Sequence, residues 1–257
     1  MKIGAMNNPG NSLYSEIEWI GKNGFDFIDI TTELPGVDIE KINVGKVKSL
    51  LKKYKLGVVG HTAWYHAFRD PQRLVREAAT KVLKKEIQFL GRVGSKNANV
   101  HLMPLYRFFS VKDGIKFYSD VLKEASKFAR KLGMVMMVEH IAGSRSQFDL
   151  LQGLFKKVPD LKFHLDVGHA NLETKGNKTK EFLRKFSKKL EHIHMSDNDG
   201  TDVQHLPLGA GNINWKSIVT LLKNYKYDGT ITLEIFSKKS HLINSKNKFK
   251  KLWKSVR

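Results

Sequence analysis

The chain has 257 residues, 41% of them hydrophobic and 10% aromatic, and carries 45 Lys plus Arg against 25 Asp plus Glu. The absence of cysteine excludes a disulfide framework, a thiolate metal site and a Cys nucleophile, so any metal must be held by His, Asp and Glu. No apolar run approaches the ~18 residues of a membrane helix. "MKIGAMNNPG" at the N-terminus reads as a strand rather than a signal segment, and a soluble cytoplasmic protein without membrane contact is expected.

Taken in chain order, short β-branched or aromatic runs alternate with amphipathic stretches whose apolar residues recur at i, i+3, i+4 spacing. Strands are predicted over residues 2–5, 25–30 and 56–60, followed by a helix over 74–93. Asp70 is the expected N-cap of that helix and Pro71 its first residue. A strand over 99–102, a helix over 115–132, strands over 135–139 and 162–166 and a helix over 180–190 come next. A strand over 192–195, a helix over 215–225, a strand over 230–235 and a helix over 242–253 complete the chain. Gly94 and Gly133 close two helices just before the following strands. Roughly eight strand–helix units without a linker or a break in composition predict one domain over residues 1–257, an α/β fold of the single (β/α)8 TIM-barrel type. An open doubly wound sheet is the competing topology, but it calls for a Gly-rich phosphate turn after an early strand, and the sequence has none.

In such a barrel the chemistry lies where strands end, because the βα loops converge on one face. Six consecutive predicted strands finish on a metal-capable side chain: His61, His101, Glu139, Asp166, His194 and Glu234. One of these alone reads as an ordinary satisfied polar residue. Together they differ, because Glu139, Asp166 and Glu234 would repel one another without a neutralising cation, which implies a divalent metal. Period-two alternation places Asn99, His164, His192 and Thr232 one step deeper inside the barrel. Two readings of His164 and His192 stand: hydrogen-bond partners that hold the ligand carboxylates, or core histidines bonded to each other or to water.

The loop after the seventh strand contains "DNDG", but the glycine comes too early and a twelfth-position Glu is missing, so it is not an EF-hand. Asp197 and Asn198 are expected to cap a turn or touch a ligand, and His205 to be carried back to the face. Lys238 and Lys239, just past the eighth strand, are either phosphate contacts or a solvated helix start. The formal charge of +20 likewise has two readings. It is a solvated lysine shell, as the helical spacing in "KVKSLLKKYK" suggests, or a face for polyanions.

The motifs "GHTAWY", "NVHL", "VEHIAG", "LDVGHAN", "HIHMSDNDG", "HLPLGAGNINW" and "TLEIF" resemble, in order, those of the xylose-isomerase-like TIM barrels. That superfamily includes sugar (phosphate) isomerases and epimerases and the related zinc nuclease endonuclease IV. On the isomerase or epimerase side the resemblance implies one Mn²⁺-, Mg²⁺- or Co²⁺-type ion held by Glu139, Asp166, His194 and Glu234. Glu139 and Glu234 would then move a proton through a metal-stabilised cis-enediolate of a small sugar or sugar phosphate. His169, Glu33, His61, His101 and His205 would bind substrate. On the nuclease side it implies DNA as partner and three Zn²⁺ ions. The first would be held by His61, His101 and Glu139. The second would be held by Glu139, Asp166, His194 and Glu234. The third would need His169, His205 and an aspartate two residues before His205, where this chain has Val203, with Asp202 one place off. The sequence is compatible with an oligomer.

Overall fold

A computed structural model describes residues 1–256. Eight parallel strands close into a barrel in the order β1 to β8: β1 (Lys2–Met6), β2 (Phe27–Thr31), β3 (Gly57–His61), β4 (Asn97–Leu102), β5 (Val135–His140), β6 (Lys162–Asp166), β7 (Leu190–Met195) and β8 (Thr230–Leu233). Each is followed by a helix: α1 (Leu13–Lys22), α2 (Val44–Tyr54), α3 (Arg73–Arg92), α4 (Val111–Lys131), α5 (Arg145–Lys157), α6 (Thr179–Phe186), α7 (Trp215–Asn224) and α8 (Lys239–Ser255). The expected (β/α)8 TIM barrel is therefore the observed fold. Among the described residues, no helix is long and apolar enough to cross a membrane.

Local chemistry sets the ends of these elements. Ser110 and Asp113 form a reciprocal capping box at the start of α4, and the Asn43 side chain accepts from Lys46 N–H at the start of α2. After α3 and α4 the chain turns at Gly94 and Gly133, whose positive φ a side chain would resist. At α3 the predicted span 74–93 agrees with the helix to one residue, but the expected Asp70–Pro71 cap is not formed. The helix begins at Arg73 instead of Pro71, because Asp70 Oδ1 accepts from Gln72 N–H at 2.8 Å and holds the chain in an Asx turn. The sixth helix is also shorter than its periodicity predicts, ending at Phe186 and giving way to a 3-10 turn over Ser187–Lys189.

Alternation along each strand sorts residues between two environments. Outward-facing Ile28, Ile30, Val100, Val138, Phe163, Leu165, Ile193, Ile231 and Leu233 are buried against the helices in one continuous core. Inside the barrel, Phe27, Val59 and Met137 form a small apolar floor separate from that core. Above it the inward positions turn polar. Strand register sets His101 beside Glu139 and Asp166 beside His194.

Candidate metal centre and adjoining cavity

The carboxylate of Glu139 is fully buried and stands at the middle of the polar layer. Its Oε2 accepts from the Asn99 amide and lies 3.7 Å from His61 Nε2, 3.4 Å from His101 Nε2 and 3.2 Å from His164 Nδ1. Its Oε1 lies 3.3 Å from His169 Nδ1 and 4.0 Å from His194 Nδ1. His194 Nδ1 in turn lies 3.9 Å from Asp166 Oδ2 and 3.0 Å from Glu234 Oε2. Donor atoms of Glu139, Asp166 and His194 all fall within 4.8 Å of one another, as do those of His61, His101 and Glu139.

Two observations fit this donor set to a cation. Glu139 Oε1 and Asp166 Oδ2 are buried without a hydrogen-bond partner, which is unfavourable unless something else satisfies them. Secondly, the described ion-pair partners of Asp29, Glu139, Asp166 and Glu234 are all histidines, so four buried carboxylates have no lysine or arginine against them. Without a metal, protons take its place. Burial works against a charge on His194, but Glu234 and Asp29 hold its pKa well above the usual value. Burial opposes the charge on His169 too, yet Asp166 and Glu139 raise it to about 10. Burial pushes Glu139 up to about 7, with the neighbouring histidines opposing. For Glu234 the same burial is outweighed by His205 and His194, which hold it below its ordinary range. Burial also keeps His61 neutral, with a pKa of about 4, and holds His101 and His164 well below theirs. These neutral imidazoles are the form a metal or a hydroxyl can use.

The cup opens into a cavity of about 350 Å³, within the range of small-molecule sites. Its wall brings together Glu33, His101, His169, His205 and Glu234 with Trp64, Met103, Ile141, Val203 and Phe236. Thr31 donates to Glu33 at 2.9 Å, and burial raises the pKa of that carboxyl despite this bond. His169 Nδ1 donates to the His140 carbonyl at 3.0 Å. Gly168, just before His169, has an ordinary φ of −67°; glycine is needed there for space, since a Cβ would sit 2.9 Å from Ser196 Oγ and 3.1 Å from Asp166 Oδ1.

The loop between β7 and α7 is built around Asp197. This fully buried carboxylate accepts from the backbone N–H groups of Asn198, Gly209 and Ile213 and from the Trp215 indole, so it organises a turn and is not a ligand contact. The same loop holds His205 at φ 45°, with Nδ1 3.6 Å from Glu234 Oε2 and its ring against Phe236. Val203 lines the cavity, while Asp202 is exposed and its Oδ1 accepts from Val203 N–H. The expected third zinc set is thus left with His169 and His205 alone. Lys239 lies elsewhere, 3.1 Å from Glu16 and over the Trp19 ring, so the solvated helix start is the better description of it.

Asp29 is the site residue that strand-end reasoning passes over. It sits in the middle of β2, faces inward and is fully buried. Its Oδ2 accepts from His194 Nε2 at 2.8 Å, His192 Nε2 at 3.2 Å and Thr232 Oγ1 at 2.8 Å. His192 therefore holds Asp29, not the ligand carboxylates as one reading expected. His164 approaches Glu139 without forming a hydrogen bond to it. The signal was present in "FDFIDI", where an acid lies between two buried isoleucines and on the same face as Phe27.

A closed (β/α)8 barrel with a histidine–carboxylate cup at its C-terminal face places the chain in a known class: the sequence profile of the xylose isomerase-like TIM barrels matches residues 17–255, and the protein belongs to that family. Among its relatives, an uncharacterised protein of Methanocaldococcus jannaschii is 27% identical over 237 residues, 87% of this chain and 79% of that protein. Among solved structures, a D-tagatose 3-epimerase-like protein superposes with a TM-score of 0.89 at 25% identity, covering 100% of this chain and 98% of the other. A 3-keto-D-glucoside 4-epimerase from E. coli shares the fold, with a TM-score of 0.78 at 19% identity over 98% and 99% of the two chains.

Proposed function

We propose that this protein is a divalent-metal-dependent epimerase or isomerase of a small, unphosphorylated carbohydrate. The observation that carries this reading is a contrast of charge. Four buried carboxylates converge at the base of a cavity whose lining holds no lysine or arginine among the described residues, in a protein of net charge +20. Such a cup favours a cation, and such a wall offers a phosphate neither lysine nor arginine. The 3-epimerase-like and 4-epimerase relatives in fold support the same class of reaction.

Glu139, Asp166, His194 and Glu234 hold the ion in this reading. A divalent cation there supplies Lewis acidity to adjacent carbonyl and hydroxyl oxygens, lowering the pKa of the carbon acid between them. The protein's own residues move the proton. Epimerisation takes a proton from one face of a carbon and returns one to the other, which calls for two groups. Glu139 and Glu234 reach the cup from β5 and β8, with the Asp166 and His194 strands between them. Their environments push their pKa values apart, as suits an acid–base pair. Around them His169, His205, His101 and Glu33 offer hydrogen bonds to hydroxyls, while Trp64 and Phe236 cover apolar C–H faces and exclude water.

Incubating the Mn²⁺-loaded protein in D₂O with a panel of ketoses and aldoses tests this directly. Deuterium should appear at the carbon beside the carbonyl together with the epimer or isomer, and the phosphorylated counterparts should react no faster. No exchange into any sugar, with metal demonstrably bound, would remove the reading.

A further inference from the structure

Resting on the reading that His194 is a metal ligand, we propose that Asp29 is a positioning residue that pins the His194 proton on Nε2 and so presents Nδ1 to the metal. An ionised carboxylate only accepts hydrogen bonds, so each group facing it must donate. His194 Nε2 lies 2.8 Å from Asp29 Oδ2, a contact that joins β2 to β7 across 165 residues of chain, and Nε2 therefore carries a hydrogen. The other ring nitrogen, Nδ1, is the one that faces Glu139, Asp166 and Glu234. Nδ1 lies 3.0 Å from Glu234 Oε2, on the side of the ring that a cation held by these carboxylates would meet.

The same logic orients the layer beneath. His192 Nε2 donates towards Asp29 Oδ2 at 3.2 Å and Thr232 Oγ1 at 3.0 Å, which leaves Nδ1 to accept from Thr230 Oγ1 at 2.6 Å. The Thr232 hydroxyl adds a third donor to Oδ2 at 2.8 Å. The carboxylate is thus held from two strands while it holds the ligand histidine, an arrangement that fixes ring orientation and raises the basicity of the ligating nitrogen. The alternative is a purely structural staple between β2, β7 and β8. A staple would affect stability and leave the metal untouched.

Three measurements separate these accounts. In the Zn²⁺-loaded wild-type protein, long-range ¹H–¹⁵N spectra should show His194 protonated at Nε2 and coordinated through Nδ1. Coordination through Nε2 would overturn the proposal without any variant being made. Asp29→Asn keeps the shape and removes the charge, and it should weaken Mn²⁺ binding by roughly 10–100-fold in chelator competition. Wild-type affinity in a folded Asp29→Asn protein, even with a lowered Tm, would reduce Asp29 to a staple and sink the proposal. Thr232→Val removes one donor but keeps the Asp29–His194 bond, and its Mn²⁺ affinity should stay within about threefold of wild type. Should wild-type protein bind no Mn²⁺ or Zn²⁺ at all, the proposed function fails first and this inference falls with it.

Discussion

The two faces of the same strands make the most instructive comparison in this molecule. On β2, Ile28 and Ile30 point outward into the large core, while Phe27, Asp29 and Thr31 alternate with them on the inner side. On β6 the outward Phe163 and Leu165 are wholly apolar, and the inward His164 and Asp166 are wholly polar. The outer face obeys the rule for stability, with large aliphatic side chains removed from water. The inner face breaks it above the Phe27–Val59–Met137 floor, gathering buried carboxylates that leave some of their oxygens unsatisfied. Buried ionisable groups of that kind lower stability unless a ligand compensates. A fold that concentrates them at one end gives up stability there unless a ligand is bound.

Substitutions on each face should therefore separate activity from stability. The largest effect is expected from Glu139→Gln and Glu234→Gln, each lowering kcat by about 10²- to 10⁴-fold, as loss of a general acid or base does. Metal-free Glu139→Gln should melt no lower than wild type, since the glutamine replaces a carboxyl whose burial already raises its pKa to about 7. A large fall in its Tm in the presence of chelator would show that the inner face contributes stability after all. Next in size is Leu165→Ala, beside Asp166, a proposed metal ligand, but facing the helices. It should cost about 2–5 kcal/mol and lower Tm by roughly 5–15 °C, with the Mn²⁺ dissociation constant of the folded protein unchanged. Metal removal comes third. Stripping a cation present at ~100 times its dissociation constant should destabilise wild type by about 2.7 kcal/mol. The metal-dependent difference in Tm should shrink in Glu139→Gln.

How much of this was legible in the sequence follows from where each residue sits on its strand. Glu139 could be read because it follows the apolar run 134–138, and Asp166 and His194 because each lies at or within one residue of a strand's end, where the fold's geometry says side chains converge. Asp29 could not be read by that rule, because it lies two residues before the end of β2; its contacts are with His194 and His192, which meet it only when the barrel closes. His192 was correctly placed one step deeper, but its partner was misjudged for the same reason: alternation gives the face of a strand and not the side chain across the barrel. The Asp70–Pro71 cap of α3 was lost to a local competition, as Asp70 captured Gln72 N–H instead of capping a helix that began at Pro71. Cavity charge was the least legible. A chain with 45 basic residues gives no hint that no lysine or arginine among the described residues lines the cavity, since that depends on which helix faces carry them.

The smallest expected effect bears on that last point, the contrast between a lysine-rich exterior and a cavity lining without lysine or arginine among the described residues. Lys239 begins α8 soon after β8, where a phosphate-binding group would be sought, yet its Nζ lies 3.1 Å from Glu16 and over the Trp19 ring. The side chain is 45% exposed, so the ion pair contributes at most about 1 kcal/mol after solvent screening. Lys239→Ala should accordingly shift Tm by no more than a few degrees and leave kcat and KM for an unphosphorylated sugar unchanged. Its decisive readout is the KM for the corresponding sugar phosphate. A selective rise there would mean that Lys239 leaves Glu16 to meet the phosphate, and that the basic exterior reaches into the site. An equal, null response to both substrates would confine the charge of +20 to the outer surface, where it acts on the field around the protein and not on the chemistry in the cup.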